Sequence, residues 1–268
     1  LISVDTDRYG DLDALMAAMV SGDDAYRYSV AWVDSLHPGG RGVLTRGDHA
    51  SLAQLQEAGT AVAGCSATAP LAYDPRALAG APSFLPGGLL NTWTVRAFNE
   101  AWYRKAPKHR VGELQAIAPF FHPLDGVSDW NRIYGPAGFL QYQFAVPDAA
   151  AELVPRTLAA LRRIGAPSFL TVLKRFGPAN PGPLSFPQPG WTLAADVSAA
   201  VPGLLDTLNQ LDEEVAAAGG RLYLAKDARQ SAEMLRRSYP RLTEWQEQRR
   251  RLDPRGVFAS DLSNRLEL

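Results

Sequence analysis

After the cap-like pair Gly10-Asp11, apolar residues recur at helical spacing. Leu12, Leu15, Met16 and Met19 predict a helix over 11–20. The period then drops to two. Tyr26, Tyr28, Val30 and Trp32 alternate with Arg27, Ser29, Ala31 and Val33, which predicts a strand with its aromatic side facing a core. The turn His37-Pro38-Gly39-Gly40 leads to a partner strand over 42–45. Residues 57–91 hold little periodic pattern and many Gly, Pro and Ala, and read as irregular connection. A connection this long inside a compact domain suggests a lid over 74–91, with 124–132 as a second candidate. Asn91 or Thr92 caps the next helix, which runs to about residue 103 with Trp93, Ala97, Glu100 and Ala101 on adjacent turns.

From Gly138 onward the period alternates between two and 3.6. A strand is predicted over 138–146, with Leu140, Tyr142 and Phe144 on one face and Gln141 and Gln143 on the other. A helix follows over 149–164, stopped at Gly165, then strands over 168–176 and 191–197. Another helix over 202–218 ends at Gly219-Gly220, and a short strand over 221–225 precedes basic helices over 230–238 and 241–252. This strand–helix–strand–strand–helix–strand order predicts an α+β fold, a split βαβ arrangement whose antiparallel sheet is flanked by helices. No internal repeat is visible in the sequence.

Composition narrows the function classes. The chain has 268 residues, of which 46% are apolar and 21% charged, so it is long enough to bury a core without disulfide or metal support. One or two domains fit this length. A net charge of −1 provides no global field to recruit nucleic acid or anionic membrane. No apolar run approaches the roughly 18–20 residues of a membrane span. Cys65 is the only cysteine; it excludes an internal disulfide, fits a reducing compartment, and has no base beside it in Gly64 or Ser66. His37, His49, His109 and His122 lie far apart and show no metal-ligand spacing, so no metal is expected. Dinucleotide, P-loop and nucleophile-elbow patterns are absent. The arginine-rich run over 235–255 is interleaved with Glu233, Glu244, Glu247 and Asp253, and reads as a solvated, ion-paired helix face.

Three features remain. Gln141 and Gln143 point the same way from one strand, and an amide that both donates and accepts can read a sugar hydroxyl; a solvated sheet face gives the same pattern. Lys174 shares a strand face with Leu170, Val172 and Phe176, so it either snorkels at an edge or meets an anion. Lys226, just past a short strand, either pairs with Asp227 or offers positive charge to a developing alkoxide or a reduced cofactor. His122, in Phe120-Phe121-His122-Pro123, reads from its setting as a hydrogen-bonded structural histidine.

Longer blocks carry a resemblance. They are His122-Pro123-Leu124-Asp125, Trp130-Asn131-Arg132, the run from Tyr134 to Phe144, Lys174-Arg175-Phe176-Gly177-Pro178, Pro183-Leu184-Ser185-Phe186-Pro187, Pro189-Gly190-Trp191, Gly219-Gly220-Arg221-Leu222-Tyr223, Ala225-Lys226-Asp227, Asp253-Pro254 and Val257-Phe258-Ala259-Ser260-Asp261. Together they resemble the decaprenylphosphoryl-ribose oxidase family of vanillyl-alcohol-oxidase-like FAD oxidoreductases, near the aldonolactone and alditol oxidases. The resemblance is dense from about Trp102 to the end of the chain. It implies a substrate-binding domain over 1–220 and the C-terminal return of an FAD-binding domain over 221–268, with the N-terminal flavin-cradling half outside this chain. It implies oxidation of a sugar hydroxyl, most simply the C2 hydroxyl of a polyprenyl-phospho-ribose in cell-wall arabinan precursor synthesis, with FAD as cofactor. A short-chain reductase acting on the keto product is the implied partner. The implied location is cytoplasmic or peripheral at the inner membrane. Alternatives are an aldonolactone or alditol oxidase, and a module that binds polyol or polyprenyl phosphate without turnover. By position, the resemblance assigns Lys226 as catalytic, His122, Gln141, Gln143, Lys174, Phe176 and Thr192 to substrate, and Tyr223 with Lys226 to the cofactor. Two positions depart: Ala194 stands where many relatives carry Cys in the pocket, and Phe121 where some carry an aromatic hydroxyl.

Overall fold

The computed structural model describes residues 1–58, 73, 77–82 and 88–268. Cys65 lies outside the described residues, as do 74–76 and 83–87 of the expected lid. The chain forms two compact units, Leu1–Phe139 and Leu140–Leu268.

The first unit contains β1 (Ile2–Tyr9), α1 (Leu12–Gly22), β2 (Tyr28–Val33), β3 (Gly42–His49), α2 (Leu52–Ala58), β4 (Ala79–Gly80), α3 (Thr92–Lys105), β5 (His109–Gln115), α4 (Ile117–Phe121) and β6 (Val127–Ser128). Its long strands lie in the order β2-β3-β1-β5, every neighbour antiparallel. Asp11 caps α1 by accepting from Ala14 N at 2.7 Å, and Leu12, Leu15 and Met19 are buried. Asn91 caps α3 in a reciprocal box with Thr94. Within the connection over 57–91, β4 forms a two-residue parallel ladder with β6. The second candidate lid, 124–132, is built of β6 and two short 3₁₀ turns.

The second unit contains β7 (Phe139–Val146), α5 (Leu153–Arg163), β8 (Thr171–Phe176), β9 (Gly190–Ser198), α6 (Leu204–Ala217), β10 (Arg221–Leu222), α7 (Ala232–Ser238), α8 (Leu242–Leu252) and α9 (Asp261–Leu266). Its strands lie in the order β10-β7-β9-β8, with β10 antiparallel to β7 and β8 to β9. This is the expected split βαβ sheet. Strand alternation sends Phe144, Leu173, Leu193 and Val197 to one face, all buried. Helices α5 and α6 bury Leu158 and Leu161, and Leu204, Leu208 and Leu211, each side chain contributing about 1.5–3 kcal/mol. The opposite face of the sheet carries Gln141, Gln143, Lys174 and Thr192.

Counted within its unit and leaving out the separate β4–β6 ladder, each set of four strands reads fourth, first, third, second across the sheet. The chain therefore contains the same βαββαβ topology twice, although no repeat shows in the sequence. The first unit's strands are pieced out by a long connection, and α2 is added between its third strand and second helix.

Some boundaries differ from those predicted, for local reasons. The helix expected over 149–164 begins at Leu153, because Pro155 lacks an N–H and fits only a first turn; Asp148–Ala150 is a 3₁₀ turn. The strand expected over 221–225 ends at Leu222. Tyr223 N still donates to Gln143 O at 3.0 Å, and the chain then closes a 3₁₀ turn, Lys226 N to Tyr223 O at 3.0 Å.

Candidate active site

Register on β8 and β9 sets Lys174 directly opposite Thr192, and Val172 opposite Ala194. Gln143 Nε2 donates to Thr192 Oγ1 at 3.2 Å, tying β7 to β9 on the same face. These residues line a cleft of about 420 Å³ together with Gln141, Phe176, Phe186, Pro187, Tyr223 and Lys226. The cleft lies wholly within the second unit. It has an aromatic wall: Phe186 stacks on Tyr223 at 4.4 Å between ring centroids, and Phe176 meets Phe186 edge-on at 5.6 Å. Opposite chemistry comes from two amides, one hydroxyl and two ammonium groups.

The wall is held from behind. Arg221 Nη1 donates to Ser185 O at 2.7 Å and Nη2 to Gln188 Oε1 at 2.7 Å, fixing the loop that carries Phe186. Gly190 starts β9 at φ +136°, and a Cβ there would lie 2.1 Å from Val146 O, so only glycine admits this approach of β9 to the end of β7. The turn carrying Lys226 is stapled on its far side. Asp227 accepts from Arg265 at 2.8 Å and from the backbone of Arg229 and Gln230, and Arg229 pairs with Asp212 of α6 at 2.7 Å. Asp227 is thus engaged by Arg265, and the Lys226–Asp227 pairing considered from the sequence does not form.

Neither Lys174 nor Lys226 has a carboxylate within ion-pair distance among the described residues. Lys174 opens into the cleft but is hemmed by protein around its stem; burial, and then the like charge of Lys226, hold its ammonium below the usual lysine value. Such a site presents unneutralised positive charge beside hydroxyl-reading amides.

His122 lies in the first unit, exposed, with Nδ1 4.0 Å from Asp125. It is not among the residues lining the cleft. The arginine-rich C-terminal helices are ion-paired as the sequence suggests: Arg237 with Glu213, Arg241 with Glu244 and Arg236 with Glu267.

Phe186, which lines the cleft, and Asp196, buried farther along β9, were given no site role from sequence. Phe186 sits in a Pro-rich loop without period. Asp196 follows Thr192 and Ala194 on the cleft face of β9 and is 1% exposed. Gln141 and the charge of Lys226 favour its ionised form, yet burial dominates and pushes its carboxyl up to about 6; neither oxygen has a hydrogen bond of full geometry. A carboxylate in the alternation Thr192, Ala194, Asp196 of an otherwise apolar strand is the signal that marks it. Among the described residues, no group of three or more His, Cys, Asp or Glu is placed to hold a metal ion.

Comparison with known proteins agrees with this architecture. Residues 202–266 match the family model of D-arabinono-1,4-lactone oxidase. The chain is 43% identical over 268 residues to the decaprenylphosphoryl-beta-D-ribose oxidase of Mycolicibacterium smegmatis, aligning 98% of its own length with 56% of that protein. It is 36% identical over 273 residues to an uncharacterized protein encoded in the mprA 5' region of Streptomyces coelicolor, aligning 97% of its length with 71% of that protein. The chain thus spans little more than half the length of the first of these relatives.

Proposed function

We propose, on the premise that this chain belongs to the decaprenylphosphoryl-β-D-ribose oxidase family, that its cleft grips the sugar of a polyprenyl-phospho-pentose while a secondary hydroxyl is oxidised with FAD. Residues 1–220 then serve substrate binding and 221–268 return to the FAD-binding part of the whole protein. The observation that carries the reading is the convergence of Gln141, Gln143, Lys174, Thr192, Tyr223 and Lys226 on one cleft.

Each residue has a part that its surroundings allow. Gln143 spends its Nε2–H on Thr192, which leaves Oε1 to accept from a sugar hydroxyl. Gln141 presents the second amide. The aromatic wall of Phe176, Phe186 and Tyr223 covers the apolar face of a sugar ring and the first carbons of a prenyl chain. Lys174 meets the phosphate as a point charge. Lys226 donates to the hydroxyl under oxidation and stabilises negative charge building on that oxygen.

The same residues fit a flavin edge. Lys226 stands at the cleft on a turn closed by its own backbone and stapled by Asp227–Arg265, with no carboxylate in ion-pair distance among the described residues. Tyr223 backs it. When bound, FAD supplies the two-electron acceptor that turns a secondary alcohol into a ketone. A reductase acting on that ketone and a contact with the membrane that holds the lipid substrate complete the reading.

Steady-state kinetics of the whole protein with Lys226→Ala test it. Flavin absorbance should be retained while turnover of polyprenyl-phospho-ribose falls about 100-fold or more. Unchanged turnover would refute the assigned role. Wild-type preference for aldonolactones over the lipid-linked sugar would select the lactone oxidase instead.

A further inference from the structure

Residues 177–189 join β8 to β9 and carry Phe186 and Pro187, the two side chains of this loop that line the cleft. Five of its thirteen residues are proline: Pro178, Pro181, Pro183, Pro187 and Pro189. Proline has no N–H, so the loop has few donors with which to tie itself to the sheet, while its carbonyls still need partners. Left to itself such a connection stays mobile. Phe186 is nonetheless 6% exposed and stacks on Tyr223 at 4.4 Å. Donors from outside the loop account for the difference.

Arg221 supplies two of them, from Nη1 to Ser185 O and from Nη2 to Gln188 Oε1, both at 2.7 Å. Ser185 and Gln188 stand on either side of Phe186 and Pro187, so the guanidinium grips the loop on both flanks of the part that faces the cleft. Gln188 passes the grip to the sheet, donating from Nε2 to Ala145 O at 3.2 Å. Arg221 itself lies opposite Ala145 in the ladder of β10 with β7, two residues before Tyr223. One short strand thus sets both rings of the stack, Tyr223 directly and Phe186 through Arg221. The cation is expensive to keep there. No carboxylate lies within ion-pair distance of Arg221 among the described residues, its Nε is buried without a hydrogen bond, and burial lowers its pKa. The ring of Tyr239, 5.6 Å away, and two neutral acceptors offset only part of that desolvation. What a guanidinium offers here, and a packed apolar side chain or a lysine does not, is two donors at a fixed separation.

We propose that Arg221 is a positioning residue for sugar binding: by gripping the loop at Ser185 and Gln188 it holds Phe186 on Tyr223 and so fixes the aromatic wall against which the sugar ring lies. The inference rests on the oxidase reading for the identity of the sugar, and on the fork and the ring stack for its geometry. In that reading the wall covers the ring and not the hydroxyl under oxidation. Its loss therefore weakens ground state and transition state alike, and appears in KM and not in kcat.

Steady-state kinetics of the whole flavin-loaded protein with polyprenyl-phospho-ribose test it. Arg221→Met should raise KM about tenfold or more, with kcat within about threefold of wild type and flavin absorbance retained. Arg221→Lys keeps the charge but cannot reach both acceptors, and should leave KM high; restored KM would show that charge alone matters and would overturn the fork. In a Phe186→Ala background Arg221→Met should add less than about twofold, because it acts through that ring, whereas additive losses refute the proposal. Gln188→Leu removes one acceptor without touching the arginine and should raise KM in the same direction, which keeps the test decisive should Arg221→Met fail to fold. Unchanged KM in Gln188→Leu and in Arg221→Met overturns the inference. Hydrogen exchange gives a readout without substrate: the amides of Ser185, Phe186 and Gln188 should exchange about tenfold faster in either variant than in wild type, and unchanged exchange refutes the grip. If the wild-type protein turns over aldonolactones and not the lipid-linked sugar, the oxidase reading fails, while the same KM split on the lactone and the faster exchange still support Arg221 as the residue that holds the wall.

Discussion

Asp196→Asn should make this protein more stable. Asp196 is 1% exposed on β9, and burial pushes its carboxyl up to about 6 from an ordinary 3.8. In the unfolded chain it ionises near 3.8, so between these values the folded state holds a proton that the unfolded state has lost. Stability therefore falls as pH rises from about 4 to about 6, and above that the loss stays constant. The difference corresponds to about 3 kcal/mol at neutral pH. Asparagine keeps the shape and carries no charge to bury. Urea unfolding followed by circular dichroism, at pH 4, 5, 6, 7 and 8, should show the variant ahead of wild type by up to about 3 kcal/mol at pH 7–8. The gap should close toward pH 4. A variant less stable at pH 7, or a gap that does not change with pH, refutes the reasoning. If turnover falls in the more stable variant, the carboxylate is retained for the site at the cost of stability.

Gly190→Ala should yield no soluble folded protein, because its Cβ would lie 2.1 Å from Val146 O at a φ that disfavours side chains; recovery of a soluble variant with wild-type melting would contradict this. Arg229→Met should destabilise by about 3–5 kcal/mol, since it strands Asp212, whose side chain is 5% exposed, beside buried Tyr142. Adding Asp212→Leu should recover much of that loss in the same unfolding assay; equal losses in single and double variants would show that the charge is not the cause.

The second unit was legible because each of its elements packs on both a neighbour and a helix layer. Period two over 138–146 and 191–197 and period 3.6 over 202–218 are imprints of that burial, and the observed β7, β9 and α6 follow them closely. Strand β5 left no such imprint. Its residues His109–Gln115 are largely exposed and join the sheet through backbone pairing with β1, which constrains side chains little. Strand β1 is marked inward only by Ile2, Val4 and Thr6, and Thr6 reads as polar. The repeated topology was invisible for the same reason: two units can share a strand order while sharing no side chain, because order is fixed by connections and pairing. In the site, strand alternation was enough to put Gln141 with Gln143 and Lys174 with Phe176. Joining the two pairs needed the register of β8 on β9 and the Gln143–Thr192 bond, which are properties of the folded sheet.

Charge bears on which of the two sugar chemistries this cleft suits. Lys174 and Lys226 share it with no carboxylate in ion-pair distance among the described residues, and burial and then the charge of Lys226 hold Lys174 below its usual value. Asp196, on the same face of β9, is buried, and burial disfavours its anion. A neutral lactone or alditol would occupy the amides and the aromatic wall and leave the two cations repelling each other at close quarters. Under the proposed function, a phosphorylated sugar engages the same amides and brings an anion that offsets this repulsion. The proposed phosphate-bearing substrate is thus the one whose anion offsets the repulsion between Lys174 and Lys226.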